Sequence, residues 1–252
     1  INVLDPSFYR DRRSDFDSLP YMDRALVYEN TAFKRRYKRT HMAGRGCPFR
    51  CTYCFEEQWN KMYRGKGKML QRYSPVRFCE ELADLVRRYD TRFLKLYDDV
   101  FPTFKTDLPW LREFAEVYPR MVGVPFHCLT RCDIVEQNPE VLHLLKQAGI
   151  CSLTMSIESG NPFIRDHIVT RDMEEEEIRF AFNLARQLKI YTFSNTILGI
   201  PGPKLPCIDD ANFEERVLEI SRDASFYRVV KKGKVVDFWK DLEEAKKEYP
   251  VE

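Results

Sequence analysis

Apolar and polar residues along the chain follow an alternation of short strand-like runs and longer helical patterns. The strand-like runs lie at 38–46, 92–101, 124–130, 151–160 and 191–202. The segments with helical spacing of apolar residues lie at 75–89, 107–118, 139–148 and 173–189. Strands that alternate with amphipathic helices are typical of a parallel sheet covered by helices. The pattern therefore predicts an α/β fold, a partial (βα)6 TIM-like barrel of parallel strands.

Residues with strong conformational preferences mark the ends of these predicted helices. Ser74 followed by Pro75 is a helix start signal, because serine caps the free amides and proline fits the first turn. Gly149 follows the helical pattern at 139–148 and is typical of a helix end. These signals support the assignment of the segments between the strands as helices.

The chain divides into three predicted parts around this pattern. Residues 1–37 have little periodicity and are interpreted as a linker, whose Leu19, Tyr21 and Leu26 we expect to be partly buried against the barrel. Residues 38–203 form the predicted core domain. Residues 204–252 are predicted to contain a helix, a β-hairpin with Gly233 in its turn, and a final polar helix.

Charge and hydropathy limit the class of protein. The 252 residues include 41 basic and 39 acidic side chains, a formal charge of +2 that is too balanced for nucleic-acid binding by the overall field. No apolar run approaches the roughly eighteen residues of a membrane span. We therefore predict a cytoplasmic protein without a membrane partner, and the run "KRRYKR" at 34–39 is interpreted as a solvated surface rather than as a nucleic-acid site.

Three of the eight cysteines lie within eight positions, in "CPFRCTYC". A domain of this size does not need disulfides, so clustered cysteines suggest metal ligands. The thiolates of Cys47, Cys51 and Cys54 could hold three irons of a 4Fe-4S cluster and leave the fourth iron open. Zinc would need a fourth ligand at zinc spacing, which the sequence lacks. An iron–sulfur cluster is therefore favoured over zinc and over buried thiols.

Polar residues follow several predicted strands. Asp98 and Asp99 end the second strand, Arg131 ends the third, and Glu158 ends the fourth. The carboxyl ends of parallel strands meet at one edge, where ligands bind in such folds. We expect these residues and the cysteine loop to converge on one mouth.

The spacing Cys-x3-Cys-x2-Cys, with Tyr53 before the last cysteine, resembles the signature of the radical S-adenosylmethionine (SAM) superfamily. The resemblance extends from Arg39 to about Gly202. It implies that the open iron is chelated by the amino and carboxylate groups of SAM, and that the reduced cluster cleaves SAM to a 5′-deoxyadenosyl radical.

The resemblance also implies roles for residues at the predicted mouth. Asp98 or Asp99 would bind the methionyl amino group, although either could instead cap a helix. Glu158 would accept hydrogen bonds from the ribose hydroxyls, and Arg171 would pair with the SAM carboxylate.

Four further residues complete the SAM site that the resemblance implies. Tyr53 and the backbone from Asn195 to Gly199 would flank adenine. Arg131 is assigned to the same cofactor site, with a structural ion pair at the rim as its alternative.

The phrases "DSLPYMDRALVY", "LYDDVFP" and "MSIESGN" most resemble members of the superfamily that carry a cobalamin-binding domain. A cobalamin-associated methyltransferase or cyclase is one function implied. A cobalamin-independent enzyme, such as a methylthiotransferase-like or rearranging catalyst, and a non-catalytic iron–sulfur protein are the alternatives. The expected partners are a small-molecule or natural-product substrate and an electron donor such as flavodoxin or ferredoxin.

Overall fold

The computed structural model describes residues 7, 9–13, 15–102, 107–197 and 200, and the strands at 228–231 and 234–237. The strands are β1 (Lys38–His41), β2 (Gly44–Arg45), β3 (Gln71–Arg72), β4 (Phe93–Leu96), β5 (Phe126–Thr130), β6 (Ile150–Met155), β7 (Tyr191–Phe193), β8 (Arg228–Lys231) and β9 (Lys234–Asp237). The α-helices are α1 (Ala25–Tyr28), α2 (Glu56–Met62), α3 (Pro75–Arg88), α4 (Leu108–Met121), α5 (Cys132–Gln137), α6 (Glu140–Ala148) and α7 (Glu175–Gln187).

The central sheet has five parallel strands whose spatial order, β1-β4-β5-β6-β7, is also their order along the chain. Helix α3 packs against α4, α4 against α6, and α5 against α6 and α7. A sheet that grows in chain order, with its helices packed side by side, is the arrangement of a barrel wall rather than of a doubly wound sheet. The prediction of a parallel α/β fold built as a partial barrel is confirmed, with five of the six predicted parallel strands among the described residues.

The two faces of the sheet differ in chemistry. Alternate side chains, such as Leu94, Leu96 and Cys128, are fully buried in the apolar core under the helices. The residues between them include Lys95 and His127, and they form the opposite, more polar face. Because successive strand residues point to opposite faces, the sequence alternation sets this difference.

Both helix-end signals predicted from the sequence are present. The Ser74 hydroxyl accepts a hydrogen bond from the Arg77 amide at 3.2 Å. Gly149 ends α6 with φ of 101°, a conformation that a residue with a Cβ adopts at a cost.

The linker is anchored to α3 by a buried group of charges. Glu81, on α3, lies 3.1 Å from Arg24, 3.0 Å from Arg77 and 3.4 Å from His41. Burial alone would raise the pKa of Glu81, but hydrogen bonds, the foremost from His41, lower it to about 2. The linker segment around Arg24 is therefore held to the barrel by a buried carboxylate whose charge is balanced by Arg24 and Arg77.

The expected burial of the linker is correct in part. Leu19 is partly buried against the core. Tyr21 is 46% exposed and lies under the Arg77 guanidinium, with the Arg77 Cζ 4.0 Å from its ring centroid. The expectation for Leu26 is wrong, because it is 71% exposed while Tyr28 of the same helix packs against the core.

Several elements differ from the sequence-based bounds. Helices α2 and α5 were not expected, and the segment 38–46 is split into β1 and the short β2, which pairs antiparallel with β3. The strand predicted at 191–202 ends at Phe193. Beyond it, the pairing with the preceding strand continues as the single bridge Glu158–Thr196, because the left-handed backbone of Glu158 (φ 66°) interrupts the ladder.

The predicted hairpin is confirmed, because β8 and β9 pair antiparallel. Its turn residue Gly233 and the predicted helices on either side of it lie outside the described residues. Within the part of the chain that the structure describes, no helix is long and apolar enough to cross a membrane.

Candidate active site

The cysteine loop follows β2 directly and begins at a glycine that the fold requires. Gly46 has φ of 96°, and a Cβ at this position would lie 2.2 Å from the Met69 carbonyl oxygen. At the other end of the loop, the Cys54 amide donates to the Cys51 carbonyl at 2.9 Å. The loop is thus a compact turn that packs against the pair formed by β2, which precedes it, and β3, which follows it.

The cysteine thiols are poorly solvated. Cys47 and Cys51 are buried and Cys54 is half-buried. Burial raises the pKa of Cys47 to about 12 and also raises the pKa of Cys54. A bound cation would offset this cost of burial by stabilising the thiolate forms of Cys47 and Cys54.

The donor set fits a cluster better than a single ion. Among the described residues, no three His, Cys, Asp or Glu side chains are placed to share one metal ion. In a 4Fe-4S cluster each cysteine sulfur binds a different iron, so the thiols need not converge on one point. Three thiols on one loop thus agree with the iron–sulfur prediction.

The loop is fixed to the segment that follows β6. The Thr52 hydroxyl donates to the Ile168 carbonyl at 2.7 Å, and the Thr170 hydroxyl donates to the Arg50 carbonyl at 2.7 Å. Residues Ile164–Ile168 form a π-helix, an element that is frequent at functional sites. These contacts bring Arg171 to the cysteine loop across 120 positions of sequence.

Arg171 links a cysteine to the predicted SAM residues. Its Nη1 lies 3.6 Å from the Cys51 Sγ and 3.5 Å from the Tyr53 hydroxyl, and its Nη2 donates to the Ser156 carbonyl at 3.0 Å. The guanidinium is buried. A fixed cation is therefore in contact with one of the predicted cluster ligands.

Glu158 joins the same group through Tyr53, whose hydroxyl donates to the Glu158 Oε1 at 2.8 Å. Glu158 is 6% exposed and has the left-handed backbone noted above. Such strain in a residue other than glycine is typical of functional positions. Its amide donates to the Asn195 carbonyl at 3.0 Å, which places Asn195 beside it.

Arg131 also lies against Cys51, with Nη1 3.9 Å from the Sγ. Its Nε and Nη2 donate to the Asp133 carboxylate at 2.9 Å each, and Nη2 donates to the Arg171 carbonyl at 2.6 Å. The guanidinium carbon lies 3.7 Å from the centroid of the Phe49 ring. Arg131 thus forms the ion pair that was its alternative role, and it adds a second cation beside Cys51.

The two adjacent aspartates occupy different environments. Asp98 accepts hydrogen bonds from the Ala43 amide at 2.9 Å and the Gly44 amide at 2.7 Å, while burial raises its pKa to about 6. Its carboxylate therefore supports the backbone that leads into the cysteine loop. Asp99 lies near the Gly46 amide and is half-buried, and burial raises its pKa.

Glu56 is a site residue that the sequence reasoning missed. It is 4% exposed, and its Oε2 accepts a hydrogen bond from the Cys47 amide at 3.1 Å. Its carboxyl group also hydrogen bonds to Asp99, and burial together with the Asp99 charge raises its pKa. The sequence signal that could have identified Glu56 is its position two residues after the last cysteine, in the first turn of α2.

The structure thus brings most of the predicted residues into two groups. Cys51, Tyr53, Arg131, Glu158 and Arg171 form one connected set of contacts. Cys47, Glu56 and Asp99 form another. Gly199 lies outside the described residues. The contacts therefore bring thiol, cationic and carboxylate groups together at the cysteine loop.

Comparison with known proteins agrees with this arrangement. The family model "Radical SAM superfamily" matches residues 42–211. The anaerobic magnesium-protoporphyrin IX monomethyl ester cyclase of Rubrivivax gelatinosus is 25% identical over 166 residues, which are 66% of this chain and 28% of the cyclase. The cytidylyl-2-hydroxyethylphosphonate methyltransferase of Streptomyces wedmorensis is 24% identical over 158 residues, 62% of this chain and 28% of that enzyme.

Solved structures give the same result for the fold. The cobalamin-dependent SAM radical enzyme OxsB, solved with aqua-cobalamin and S-adenosylmethionine bound, superposes with a TM-score of 0.59 at 18% identity, over 83% of this chain and 30% of OxsB. The chain therefore spans less than a third of each of these relatives. The family match covers about two-thirds of the chain, and the chain belongs to the radical SAM superfamily.

Proposed function

We propose that this chain holds a 4Fe-4S cluster through Cys47, Cys51 and Cys54 and binds SAM at the open iron. A reduced cluster held there would supply one electron for cleavage of the SAM sulfonium, which would give methionine and a 5′-deoxyadenosyl radical able to activate an unactivated C–H bond. The observation that carries the proposal is the position of Arg171, 3.6 Å from Cys51 and 3.5 Å from Tyr53, which in turn bonds to Glu158.

Each side chain has a task that its environment supports. The Arg171 guanidinium, already fixed by Ser156, is placed to receive the SAM carboxylate. Glu158 accepts from the ribose hydroxyls, and its strained backbone sets the direction of the carboxylate. Asp99 orients the methionyl ammonium, since the Asp98 carboxylate is already held by two amides.

Tyr53 and Asn195 have positioning tasks. Tyr53 holds Glu158 through its hydroxyl and presents its ring, 47% exposed, to adenine. Asn195 donates to the Ser156 hydroxyl at 2.9 Å and leaves its backbone beside Glu158. Arg131 stabilises thiolate charge at Cys51 together with Arg171, which favours cluster binding.

The test of this proposal is SAM binding and cleavage by the anaerobically reconstituted protein. We expect 5′-deoxyadenosine after reduction with dithionite. Arg171→Ala should weaken SAM binding by about 2–4 kcal/mol, because a buried carboxylate loses its partner. Arg186→Ala, an exposed arginine on α7, is the matched control and should bind SAM normally. Unchanged binding in Arg171→Ala would assign that residue to a structural role.

We further propose a cobalamin-associated methyltransferase or cyclase as the whole-protein activity, on a small-molecule or natural-product substrate. The names of the cyclase and methyltransferase relatives and the cobalamin-dependent OxsB support this choice. No corrinoid motif Asp-x-His-x-x-Gly occurs in the sequence, so cobalamin is assigned no residue of this chain. The visible spectrum after addition of hydroxocobalamin distinguishes this activity from a cobalamin-independent one, and formation of 5′-deoxyadenosine excludes a non-catalytic iron–sulfur protein.

A further inference from the structure

The polar face of the central sheet carries two rows of residues that cross its strands. The strand register aligns one residue from each strand in a first row, in the order Thr40, Lys95, His127, Ser152 and Tyr191. Residues two positions further along a strand point to the same face. A second row, nearer the carboxyl ends of the strands, therefore contains Tyr97, Leu129, Thr154 and Phe193.

The second row leads into the candidate active site. Ser156 lies two residues beyond Thr154, and its carbonyl accepts a hydrogen bond from the Arg171 Nη2 at 3.0 Å. Asn195 lies two residues beyond Phe193 and donates to the Ser156 hydroxyl at 2.9 Å. Two residues of extended strand span only about 7 Å. A molecule that lies on this face can therefore extend from the second row to the proposed SAM site.

Two lysines bring positive charge to this face. The Lys95 Nζ donates to the Tyr97 hydroxyl at 3.1 Å and lies 4.2 Å from the centroid of the Tyr97 ring. This hydrogen bond lowers the pKa of Tyr97, and the charges of Lys95 and Lys38 lower it further. In the described part of the chain, the lysines that pair with carboxylates are Lys61 and Lys66. Lys38 and Lys95 thus have no carboxylate partner there.

The positive charge of the face is not balanced by the two rows themselves, which contain no aspartate or glutamate. An ammonium group has three donors, and the bond to Tyr97 uses one of those of Lys95. Lys38 is exposed, and Lys95 is half-buried. A ligand that complements this end of the face is therefore an anion, which would receive charge-assisted hydrogen bonds from the lysines.

The middle of the face offers aromatic surface rather than free polar groups. Tyr97 is 50% exposed and Phe193 is 45% exposed. Between them, His127 is only 6% exposed, and its ring centroid lies 5.8 Å from that of Phe193. Both ring nitrogens of His127 are already hydrogen bonded, to the Ser152 and Thr154 hydroxyls. The part of a ligand that lies here is thus apolar or aromatic.

A cavity adjoins the β1 edge of the two rows. Its volume is about 400 Å³, and its lining includes Thr40 and Tyr97 of the face and Tyr28 of the linker. This volume lies within the range of small-molecule sites. Arg45 and Asp23 also line the cavity and carry opposite charges. The two lysines therefore determine the sign of the charge that a ligand beside Tyr97 meets.

We propose that this face binds the substrate and that the substrate is an organic anion, a carboxylate or a phosphate, with an apolar or aromatic body. Lys38 and Lys95 hold the charged group, and the body lies against Tyr97 and Phe193. The inference rests on the proposed function and names the substrate class for that reaction. Four residues of strand span about 13 Å, so the reacting carbon lies roughly this far from the first row, toward the mouth.

The first test compares three probes on the reconstituted protein by equilibrium dialysis. The probes are naphthoate, naphthyl phosphate and neutral naphthol, all substituted at the same ring carbon. At least one anion should bind about tenfold or more tightly than naphthol, because it gains charge-assisted hydrogen bonds. The tighter of the two anions identifies the charged group as carboxylate or phosphate. Equal dissociation constants for all three probes would overturn the inference.

Variants locate the anion on the face. Lys38→Met/Lys95→Met should bind the preferred anion at least about tenfold more weakly and naphthol within about twofold of the parent, which also shows that the variant is folded. Lys38→Arg/Lys95→Arg should keep the anion affinity within about threefold, because the charge remains. The matched control is Lys68→Met/Lys146→Met, which removes two charges at exposed positions outside the face. Equal losses in this control and in the first variant would contradict the assignment.

The aromatic part of the site has its own variant. Phe193→Ala should weaken the preferred anion and naphthol alike, by about threefold or more, because both probes lose contact with the ring. Phe180→Ala is the control, since Phe180 is 42% exposed on α7. Unchanged binding of both probes in Phe193→Ala would show that the body of the ligand lies elsewhere, and would overturn this part of the inference.

A separate measurement on the parent protein distinguishes this inference from the proposed function. Formation of 5′-deoxyadenosine from SAM is measured after reduction with dithionite. A parent protein that cleaves SAM but binds neither anion more tightly than naphthol would overturn the inference and leave the proposed function standing. Selective anion binding that depends on Lys38 and Lys95, without any cleavage of SAM, would instead refute the proposed function.

Discussion

The Tyr53 hydroxyl donates a 2.8 Å hydrogen bond to the carboxylate of Glu158, a residue 105 positions further along the chain. The bond connects the cysteine loop to the end of β6, where the backbone of Glu158 is left-handed. A single carboxylate therefore depends on both the loop and the sheet for its position. Substitution of Glu158 can therefore separate the effect of its side chain on SAM binding from the effect of its left-handed backbone on stability.

We expect Glu158→Ala and Glu158→Gly to weaken SAM binding alike, by about 1.5–3 kcal/mol, because both lose hydrogen bonds to a charged acceptor. The two should differ in stability, with the glycine variant about 1 kcal/mol more stable, since glycine adopts a positive φ without penalty. SAM titration and urea unfolding measure the two effects. Glu176→Ala, an exposed position on α7, is the control. Normal SAM binding in both Glu158 variants would refute the ribose assignment.

Gly46→Ala tests the close approach at the start of the cysteine loop. A Cβ at Gly46 would meet the Met69 carbonyl at 2.2 Å, whereas Gly65 also has a positive φ (74°) but has no heavy atom within 4 Å of the added Cβ. Gly65→Ala should thus cost only the left-handed backbone, about 1–2 kcal/mol. Gly46→Ala should cost about 1–3 kcal/mol more and lower the iron content, because the loop must move. Equal unfolding free energies for the two variants would contradict this account.

The buried charge group at α3 should control the linker. Glu81→Gln removes the carboxylate that Arg24 and Arg77 share, and should destabilise the protein by about 3–5 kcal/mol. The neighbouring Glu80→Gln, at an exposed position, should change stability by less than about 0.5 kcal/mol. Urea unfolding gives both values, and limited proteolysis should cut residues 15–37 first in Glu81→Gln. A linker equally protected in both variants would show that other contacts hold it.

His127 should make stability depend on pH. Both ring nitrogens are hydrogen bonded, Nδ1 to Ser152 at 2.8 Å and Nε2 to Thr154 at 3.0 Å, and burial lowers the His127 pKa from 6.5 to about 4. Between these values the unfolded chain binds the proton and the native protein does not, so stability falls as the pH drops from 6.5 to about 4, by up to about 3 kcal/mol.

The measurement is thermal unfolding across that pH range. His127→Gln should reduce the slope, because glutamine can bond to both hydroxyls without titrating. His143→Gln, at an exposed position, should keep the slope of the parent. An unchanged slope in His127→Gln would assign the pH dependence to other groups.

The order of the elements could be predicted from the sequence because each strand and helix has its own periodicity. The residues at which the strands end could not be predicted in this way. The left-handed turn at Glu158 and the hydrogen bonds of Asp98 to the Ala43 and Gly44 amides depend on contacts between distant segments. The choice between Asp98 and Asp99 as the residue for the methionyl amino group required the register of the strand, which the sequence alone does not give.

Two other differences between prediction and structure, at Leu26 and Glu56, also come from packing between distant segments. Leu26 was expected to be partly buried because it is apolar, but a helix of four residues can turn only one side to the barrel, and Tyr28 lies on that side. Glu56 was overlooked because an acidic residue in a first helical turn is ordinary at the surface. Its burial against the Cys47 amide follows from the tight cysteine loop.

The cluster assignment is tested most directly by iron and sulfide analysis of the anaerobically reconstituted protein, together with its visible absorption. We predict about four irons per chain, as three thiolates and one open site imply. The triple variant Cys47→Ala/Cys51→Ala/Cys54→Ala should lose the iron and the broad absorption, while Cys151→Ala, which changes a half-buried cysteine on β6, should keep both. Retention of a full cluster by the triple variant would contradict the assignment.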